Sequence, residues 1–573
     1  MRRALLVFLG LVLFTWLGFE LFPGHTYLKG PTQLYLPMLE RLENPGYLSR
    51  DLVATHPSVT YTVYDEITLF LRQGAGVNFR AALLSQQLLF RLAGLFGVFL
   101  IARACGLGEF WSFLVAAIAS LGAVLPGPAA TVIGPEPVPR AFAMGLTLLA
   151  IGCLAREKSL LAGLTGGIAL LYDPRVAGPF WLMVVAAFIF DRRLRRLLRP
   201  CLPVLLVFVL LLANLAQLQP GSAEAQGLAA RISDRVAMIQ KFRTPYVWVS
   251  VWSPGEIWHY LAILVLGVWA TARIWSRLNR QMRWIFIALP LLGILSIPVS
   301  YLLLEHLRWA AIPQIQPAKM LVLTVAFPAS ACALAGLTAI FKGRRFEAAA
   351  WFVVVFALPM QVRILDLLRF GNAVECERLG LALVLSACLV WAATALARTP
   401  WGAFIVLVPV AAMLLMPHVV HADKPLLGVD EREPALGELA AWAEQNTWAG
   451  SLFAFPDAAR DPDPGIFRAE SKRAIWVDWE SGGQIDNYSS LAEEWWRRWQ
   501  QTMRPSFTAR ELQDMLKLPI DYYVLKRSHA LGTHSGGQFE GVPAVFSNDN
   551  FVVYDANDLR KASGELRLAP AGR

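Results

Sequence analysis

Long apolar runs separated by short arginine-rich links dominate the first 420 positions. The chain opens with MRRALLVFLGLVLFTWLGFELF, two arginines and then an apolar stretch with no small-x-small cleavage pattern after it, which predicts an uncleaved first membrane span over Ala4–Phe22. Further spans are predicted at 80–102, 110–126, 141–155, 160–171, 176–190, 201–217, 258–275, 284–303, 318–341, 348–363, 379–397 and 401–419. A helix needs about 20 apolar residues to cross a bilayer, so the shorter runs predict tilted, buried or re-entrant segments and a total of about 11–13 spans.

Threading these runs with the N-terminus inside sorts the links by character. The inside links are Arg103–Glu109, Arg156–Ser159, Asp191–Pro200, Thr271–Arg283, Lys342–Glu347 and Arg398–Pro400, which include DRRLRRLLRP and KGRRFE. The outside links are long or proline-rich: 23–79, 127–140, 172–175, 218–257, 304–317 and 364–378. Cationic links stay on the cytoplasmic side, so this alternation predicts an extracytoplasmic C-terminal region.

From 421 to 573 the pattern changes. Short β-type runs at 451–456, 474–479, 521–527 and 551–556 alternate with helix-like stretches near 434–447 and 488–516, predicting a small mixed α/β domain. Leu491, Trp495, Trp499 and Met503 recur every four residues on one helix face, a stripe expected to pack, with a lipid-interface belt or a sugar-stacking platform as the alternatives. The predicted organisation is a transmembrane domain over 1–420, with a long first outside loop at 23–79, and an α/β domain over 421–573.

Composition agrees with this polytopic α-helical reading. Apolar residues reach 56% of the 573 and charged residues only 16%, and mean hydropathy is +0.48; a soluble domain has about 25% charged residues. The net charge of +10 is unevenly spread: 421–573 holds 17 Lys and Arg against 23 Asp and Glu, so the excess cation lies in the apolar part, mostly in its links. That distribution needs no nucleic-acid partner. The six cysteines lie in or beside apolar segments without a CxxC pair, which argues against a disulfide framework, a zinc site and a thiol nucleophile.

The signatures of soluble nucleotide-binding, metalloprotease and hydrolase enzymes are absent. One DxD, Asp461–Pro462–Asp463, sits between prolines on an expected surface loop. The first outside loop is richer. It is expected to be helical around Gln33–Leu42, breaks at Asn44–Pro45–Gly46, and gathers Asp51, His56, Asp65 and Glu66 toward the membrane boundary. A carboxylate partly desolvated beside lipid is suited to general-base work. Glu136 and Arg140 precede the span at 141, where a guanidinium and a helix N-terminus together suit a phosphate. Glu305, His306, Arg308, Gln316 and Lys319 lie in the link before another span. Arg91 stands about 16 Å into the second span at 1.5 Å per residue, as a functional cation or a hydrogen-bonding hub. Each of these residues has a plainer reading as a solvated charge, a cap or a snorkelling cation.

The layout resembles the GT-C superfamily of integral-membrane glycosyltransferases, and more narrowly an uncharacterised bacterial group within it. The matching stretches are TQLYLPMLERL (32–42), DLVATHP (51–57), YDE (64–66), EPVPRAFA (136–143), YDP (172–174), QPAK (316–319), FRAESKR (467–473), VDWESGG (477–483) and EEWWRRW (493–499). Members of that group usually carry an acid just before the TQ pair, where this chain has Pro31. The resemblance implies a bacterial inner-membrane protein with a cytoplasmic N-terminus and a periplasmic C-terminal domain. Its implied activity is sugar transfer from a polyprenyl-phosphate-linked donor to an extracytoplasmic acceptor. Asp65 or Glu66 would be the base, with Asp51 and His56 as supporting or metal-binding groups. Arg140 and Lys319 would take the phosphate, with Glu136, Gln316 and Arg91 as further substrate contacts. A divalent cation stays open as a cofactor. The competing expectations are a lipid or solute transporter or flippase, and a non-catalytic scaffold whose periplasmic domain binds partners.

Overall fold

The computed structural model describes residues 2–58, 62–218, 230–362, 373–395, 399, 402–415, 434–487, 489–503, 509–531, 539 and 541–564. The expected domain boundary at 420/421, most of the links 364–378 and 398–400, and the first part of 218–257 lie outside them.

The apolar runs form helices: α1 (Arg2–Glu20), then α2 (Thr32–Glu43) and α3 (Tyr64–Ala75) within the first loop, then α4 (Phe79–Ala104), α5 (Glu109–Ala119), α6 (Pro139–Ala155), α7 (Ser159–Tyr172), α8 (Pro174–Phe190) and α9 (Cys201–Leu218). After α10 (Asp234–Arg243) come α11 (Pro254–Ile274), α12 (Arg280–Ser300), α13 (Leu321–Phe341), α14 (Arg345–Ala357), α15 (Ala373–Ala395) and α16 (Gly402–Leu415). Among the described residues six helices are long and apolar enough to cross a membrane, and six shorter apolar helices accompany them. Large apolar side chains such as Leu206, Val207, Leu210 and Leu211 of α9 point outward, as lipid-facing residues do. The run expected at 110–126 is cut short: α5 ends at Ala119, and Val124–Leu125 (β1) pairs with Ala130–Thr131 (β2) in a small antiparallel hairpin around Pro126 and Gly127.

The cationic links gather at one end of the bundle. Arg280 pairs with Asp191 at 2.5 Å and Arg273 with Glu347 at 2.7 Å, while Gln281 donates to Glu157 at 3.1 Å. Four links expected on one side of the bilayer therefore touch one another.

Helices α4 and α6 pack through glycine. A Cβ on Gly145 would lie 2.0 Å from the Phe90 carbonyl oxygen, and one on Gly97 would lie 2.3 Å from the Leu148 carbonyl oxygen. Small residues allow this backbone approach between membrane helices. Gly145→Ala is expected to force the two helices apart and to cost roughly 1–3 kcal/mol, read as a lowered melting temperature in detergent. Gly178→Ala, with nothing within 4 Å of the new methyl, is the neutral control; equal melting temperatures for the two variants would overturn the assignment.

The C-terminal region carries a mixed sheet in the order β4-β3-β5-β7-β6, built from β3 (Leu452–Ala454), β4 (Ala474–Ile475), β5 (Tyr522–Lys526), β6 (Phe546–Ser547) and β7 (Phe551–Asp555). β3 runs parallel to β4 and β5, and β7 antiparallel to β5 and β6. Alternating side chains serve two cores. Phe453, Ile475, Val524 and Val553 meet α17 (Pro434–Asn446) and Phe467 of α18 (Asp463–Ser471). Leu452, Ala474, Tyr523, Leu525 and Val552 face the other way, toward Leu491, Trp495 and Trp499 of α19 (Ser489–Thr502). The tryptophan stripe is therefore core, and Trp495 donates to the Asp478 carbonyl at 3.0 Å. This second core also takes Val236 and Ile239 of α10, Trp248, Leu304 and Ile312 from the links between membrane helices. The expected loop around Asp461–Asp463 instead begins α18, and Asp461 pairs with Lys526 at 2.5 Å.

Candidate active site at the end of the helical bundle

The opening loop is held by its own polar groups. Glu136, nearly buried, accepts from the backbone N–H of Lys29 at 3.0 Å and from the N–H and hydroxyl of Thr32 at 2.7 and 2.8 Å. Its carboxylate thus occupies the N-terminal end of α2, where unpaired N–H groups favour an anion. Burial raises its pKa, while the Thr32 bonds and Arg140 act to lower it. Arg91 donates to the carbonyls of Gly24 (2.7 Å), Gly134 (2.8 Å) and Gly18 (3.4 Å) and lies over the Phe19 ring. It joins the end of α1, the first loop and the loop before α6, the work of a hub.

Asp51 faces the C-terminal domain. One oxygen accepts from Val53 and Ala54 N–H at 2.9 and 3.0 Å. The other accepts from Ile475 N–H at 3.2 Å and lies 3.7 Å from Arg468. Arg468, fully buried, also pairs with Asp478 at 3.1 Å and donates to the Gln33 carbonyl at 2.9 Å. His56 sets Nδ1 3.0 Å from the Leu52 carbonyl. Asp51 and His56 thus serve the interdomain contact and the turn after it. Among the described residues, no group of three or more His, Cys, Asp or Glu gathers in a metal-binding arrangement.

Three cations converge from three segments. Arg140 stands in the first turn of α6, Arg175 in the first turn of α8, and Lys319 in the 3-10 turn Pro317–Met320 before α13. Arg140 and Arg175 are both electrostatic neighbours of Lys319, opposed by Asp173 and Asp486. Asp173 caps α8 and binds Arg175 at 2.6 Å. Arg140 has no carboxylate within ion-pair distance among the described residues. The Lys319 ammonium lies 5.5 Å from the Tyr246 ring centre. Gln316, held at φ +48°, donates to Asp486 at 3.3 Å, and Thr244 donates to the other Asp486 oxygen at 3.0 Å. The C-terminal domain thus contributes a side chain to this cluster. Tyr35 of α2 is an electrostatic neighbour of Arg175. Sequence reasoning missed Arg175, Tyr246 and Asp486; the only local signal was Asp173–Pro174–Arg175, a helix cap followed by a cation that its own carboxylate can hold.

Burial pushes the Asp486 carboxyl up to about 7, against Thr244, Lys319 and Arg243. Between about pH 4 and 7 the folded chain then holds a proton that the unfolded chain has released, so stability falls as pH rises through that window. Asp486→Asn removes this dependence. Its melting temperature relative to the parent is expected to climb from pH 4.5 to 8, and a constant difference would refute the burial argument.

The pair Asp65–Glu66 opens α3. Val63 N–H donates to the Leu171 carbonyl at 3.2 Å, and the Tyr64 hydroxyl donates to the Pro137 carbonyl at 2.8 Å. The first turn of α3 is thereby fixed between the start of α6 and the α7–α8 junction, the two places from which Arg140 and Arg175 project. Asp65 is buried, Glu66 exposed. Burial, then a hydrogen bond and repulsion from Glu66, push the Asp65 carboxyl up to about 8, and one of its oxygens has no partner.

No protein-family model matches the chain, and no curated protein matches it. Among solved structures it is similar to ArnT from Cupriavidus metallidurans in the apo state, at 12% identity and TM-score 0.46 over 96% of this chain and 98% of that one. It is similar to the same protein bound to undecaprenyl phosphate at 13% identity and TM-score 0.47, with the same coverage.

Proposed function

We propose that the protein is a membrane glycosyltransferase that moves a sugar from a polyprenyl-phosphate-linked donor to a hydroxyl acceptor at the extracytoplasmic surface. The observation that carries this reading is the convergence of Arg140, Arg175 and Lys319; the turn that leads into Asp65 and Glu66 is bonded to the Leu171 and Pro137 carbonyls, close in sequence to Arg175 and Arg140. Asp65 takes the proton of the acceptor hydroxyl. The freed oxygen attacks the anomeric carbon from the face opposite the phosphate, the carbon–oxygen bond to phosphate breaks, and the configuration inverts. The departing phosphate carries the electron pair away, and fixed cations stabilise the charge that develops there. Arg140 and Lys319 make no ion pair among the described residues and supply the free charge, and Arg175, already bound to Asp173, adds to it. The cationic links of the opposite end lie in the cytoplasm under this reading, and the C-terminal domain lies in the periplasm.

The test is mass spectrometry of lipid that copurifies with the protein. A bound polyprenyl phosphate is expected, and Arg140→Gln combined with Lys319→Met should reduce its occupancy at least about tenfold, the loss of roughly 1.4 kcal/mol of binding. Bound lipid without sugar transfer would favour the flippase reading. No polyprenyl phosphate at all would leave the scaffold.

A further inference from the structure

A second polar cleft lies away from the cation cluster. It opens between α2, the start of α4 and the facing helices α17 and α18 of the C-terminal domain, with about 1550 Å³ of atom-free space open to solvent. Helix geometry separates the two places: along α2, Leu36, Glu40 and Glu43 share the face toward this cleft, whereas Tyr35 lies roughly 100° away around the axis.

The charged groups at the cleft's mouth are largely spoken for. Arg72 donates through Nε to both oxygens of Glu43 at 2.7 and 2.8 Å. Lys472 binds Glu444 at 2.7 Å. Two of the lining cations rest on lining tyrosines, Arg80 at 5.4 Å from the Tyr27 ring centre and Lys472 at 5.6 Å from that of Tyr47. Glu40 is different. It lines the cleft at 7% exposure, and its Oε2 has no hydrogen-bond partner. A buried carboxyl oxygen left unpaired costs free energy comparable to a lost hydrogen bond, unless a ligand or water satisfies it. The opposite wall includes the small residues Gly437, Ala440 and Ala441, which leave the space open among the described residues.

We propose that this interdomain cleft binds a saccharide, with Glu40 accepting hydrogen bonds from sugar hydroxyls and the Tyr27 and Tyr47 rings meeting the C–H faces. The chemistry favours a neutral polyhydroxylated ligand. Two ion pairs have already matched most of the charge of the wall, and tyrosine offers an apolar face with a polar edge, which suits a sugar ring. A carboxyl group can serve two adjacent hydroxyls at once. The assignment is independent of the transfer reaction: a cleft of this kind would hold a glycan of the cell envelope whether or not the cation cluster carries out chemistry.

The experiment applies the full chain in lipid nanodiscs to an array of immobilised bacterial envelope oligosaccharides, followed by titration of the best-bound member in free form. Binding is expected for the parent chain. It should weaken about tenfold or more in Glu40→Leu and in Tyr47→Ala, the scale of one lost hydrogen bond or ring contact, and stay within about threefold in Glu40→Gln, whose amide still bonds hydroxyls. Asp65→Asn should bind like the parent, which separates this site from the transfer site. The proposal is overturned if no oligosaccharide binds above background, or if Tyr47→Ala binds as the parent does. Tyr47 is only half-buried, so that variant decides the matter even if Glu40→Leu does not fold.

Discussion

A chain carrying Asp65→Asn together with Glu66→Gln is expected to lose sugar transfer by about 10²–10⁴-fold, the usual contribution of a positioned general base, while its expression and melting temperature hold. Both replacements keep the shape of the side chain and remove only the capacity to take a proton. The pH dependence gives a sharper signature. Asp65 acts as a base only when ionised, and with its pKa near 8 kcat/KM should rise with pH and level off above about 8. Glu66→Gln alone removes the repulsion that helps raise that pKa, so the limb of the profile should move to lower pH. Unchanged turnover in the double variant would take both carboxyls out of the reaction, and an unmoved limb would separate Glu66 from Asp65.

The second large effect concerns stability. Arg468→Ala is expected to cost about 3–5 kcal/mol, the range seen when one partner of a buried ion pair is removed. Arg468 is fully buried between Asp51 of the first loop and Asp478 of its own domain, and its second nitrogen reaches the Gln33 carbonyl. Alanine would leave two carboxylates out of water with no cation between them. Lysine should rescue poorly, because one ammonium cannot reproduce the planar fork that serves three oxygens in different directions. Thermal unfolding in detergent, with limited proteolysis to report release of the C-terminal domain, checks both points; a variant that melts and digests like the parent would exclude the clasp as a major contribution.

How much could be read from the chain alone depended on how local the determinant was. The run at 80–102 became α4 and the run at 318–341 became α13 because a helix in lipid must satisfy its own backbone groups within the segment. The run at 110–126 extended too far. Hydropathy does not register that the Pro126–Gly127 turn pairs Val124 with Thr131. Helix α3 went unseen as a helix because its 12 residues are too short and too polar to stand out in a long loop. The stretch 488–516 holds two described helices, Ser489–Thr502 and Ala509–Met515.

Site residues followed the same rule. Arg140 and Lys319 were marked by their place just before apolar runs, and the fold makes them neighbours. Asp51, read as part of an acidic cluster with His56, Asp65 and Glu66, has partners more than 400 positions away in the sequence, Ile475 and Arg468. No spacing within the first loop encodes that. Arg91 reaches the carbonyls of Gly18, Gly24 and Gly134, partners from three separate segments that its position in an apolar run does not reveal. Asp486 was invisible as a site residue because only tertiary folding brings it to Thr244 and Gln316.

The apolar side chains that α10, Trp248, Leu304 and Ile312 add to the core shared with α19 and the C-terminal sheet have a consequence for biogenesis. The sheet is translated after those segments, yet one of its two cores draws on them. Those segments must already be in place when the sheet arrives. A fragment starting near 434 would keep α19 but lose the apolar side chains that the earlier segments add to this core, and should be prone to precipitate when expressed by itself, so this unit matures by settling onto a ledge prepared by the rest of the molecule.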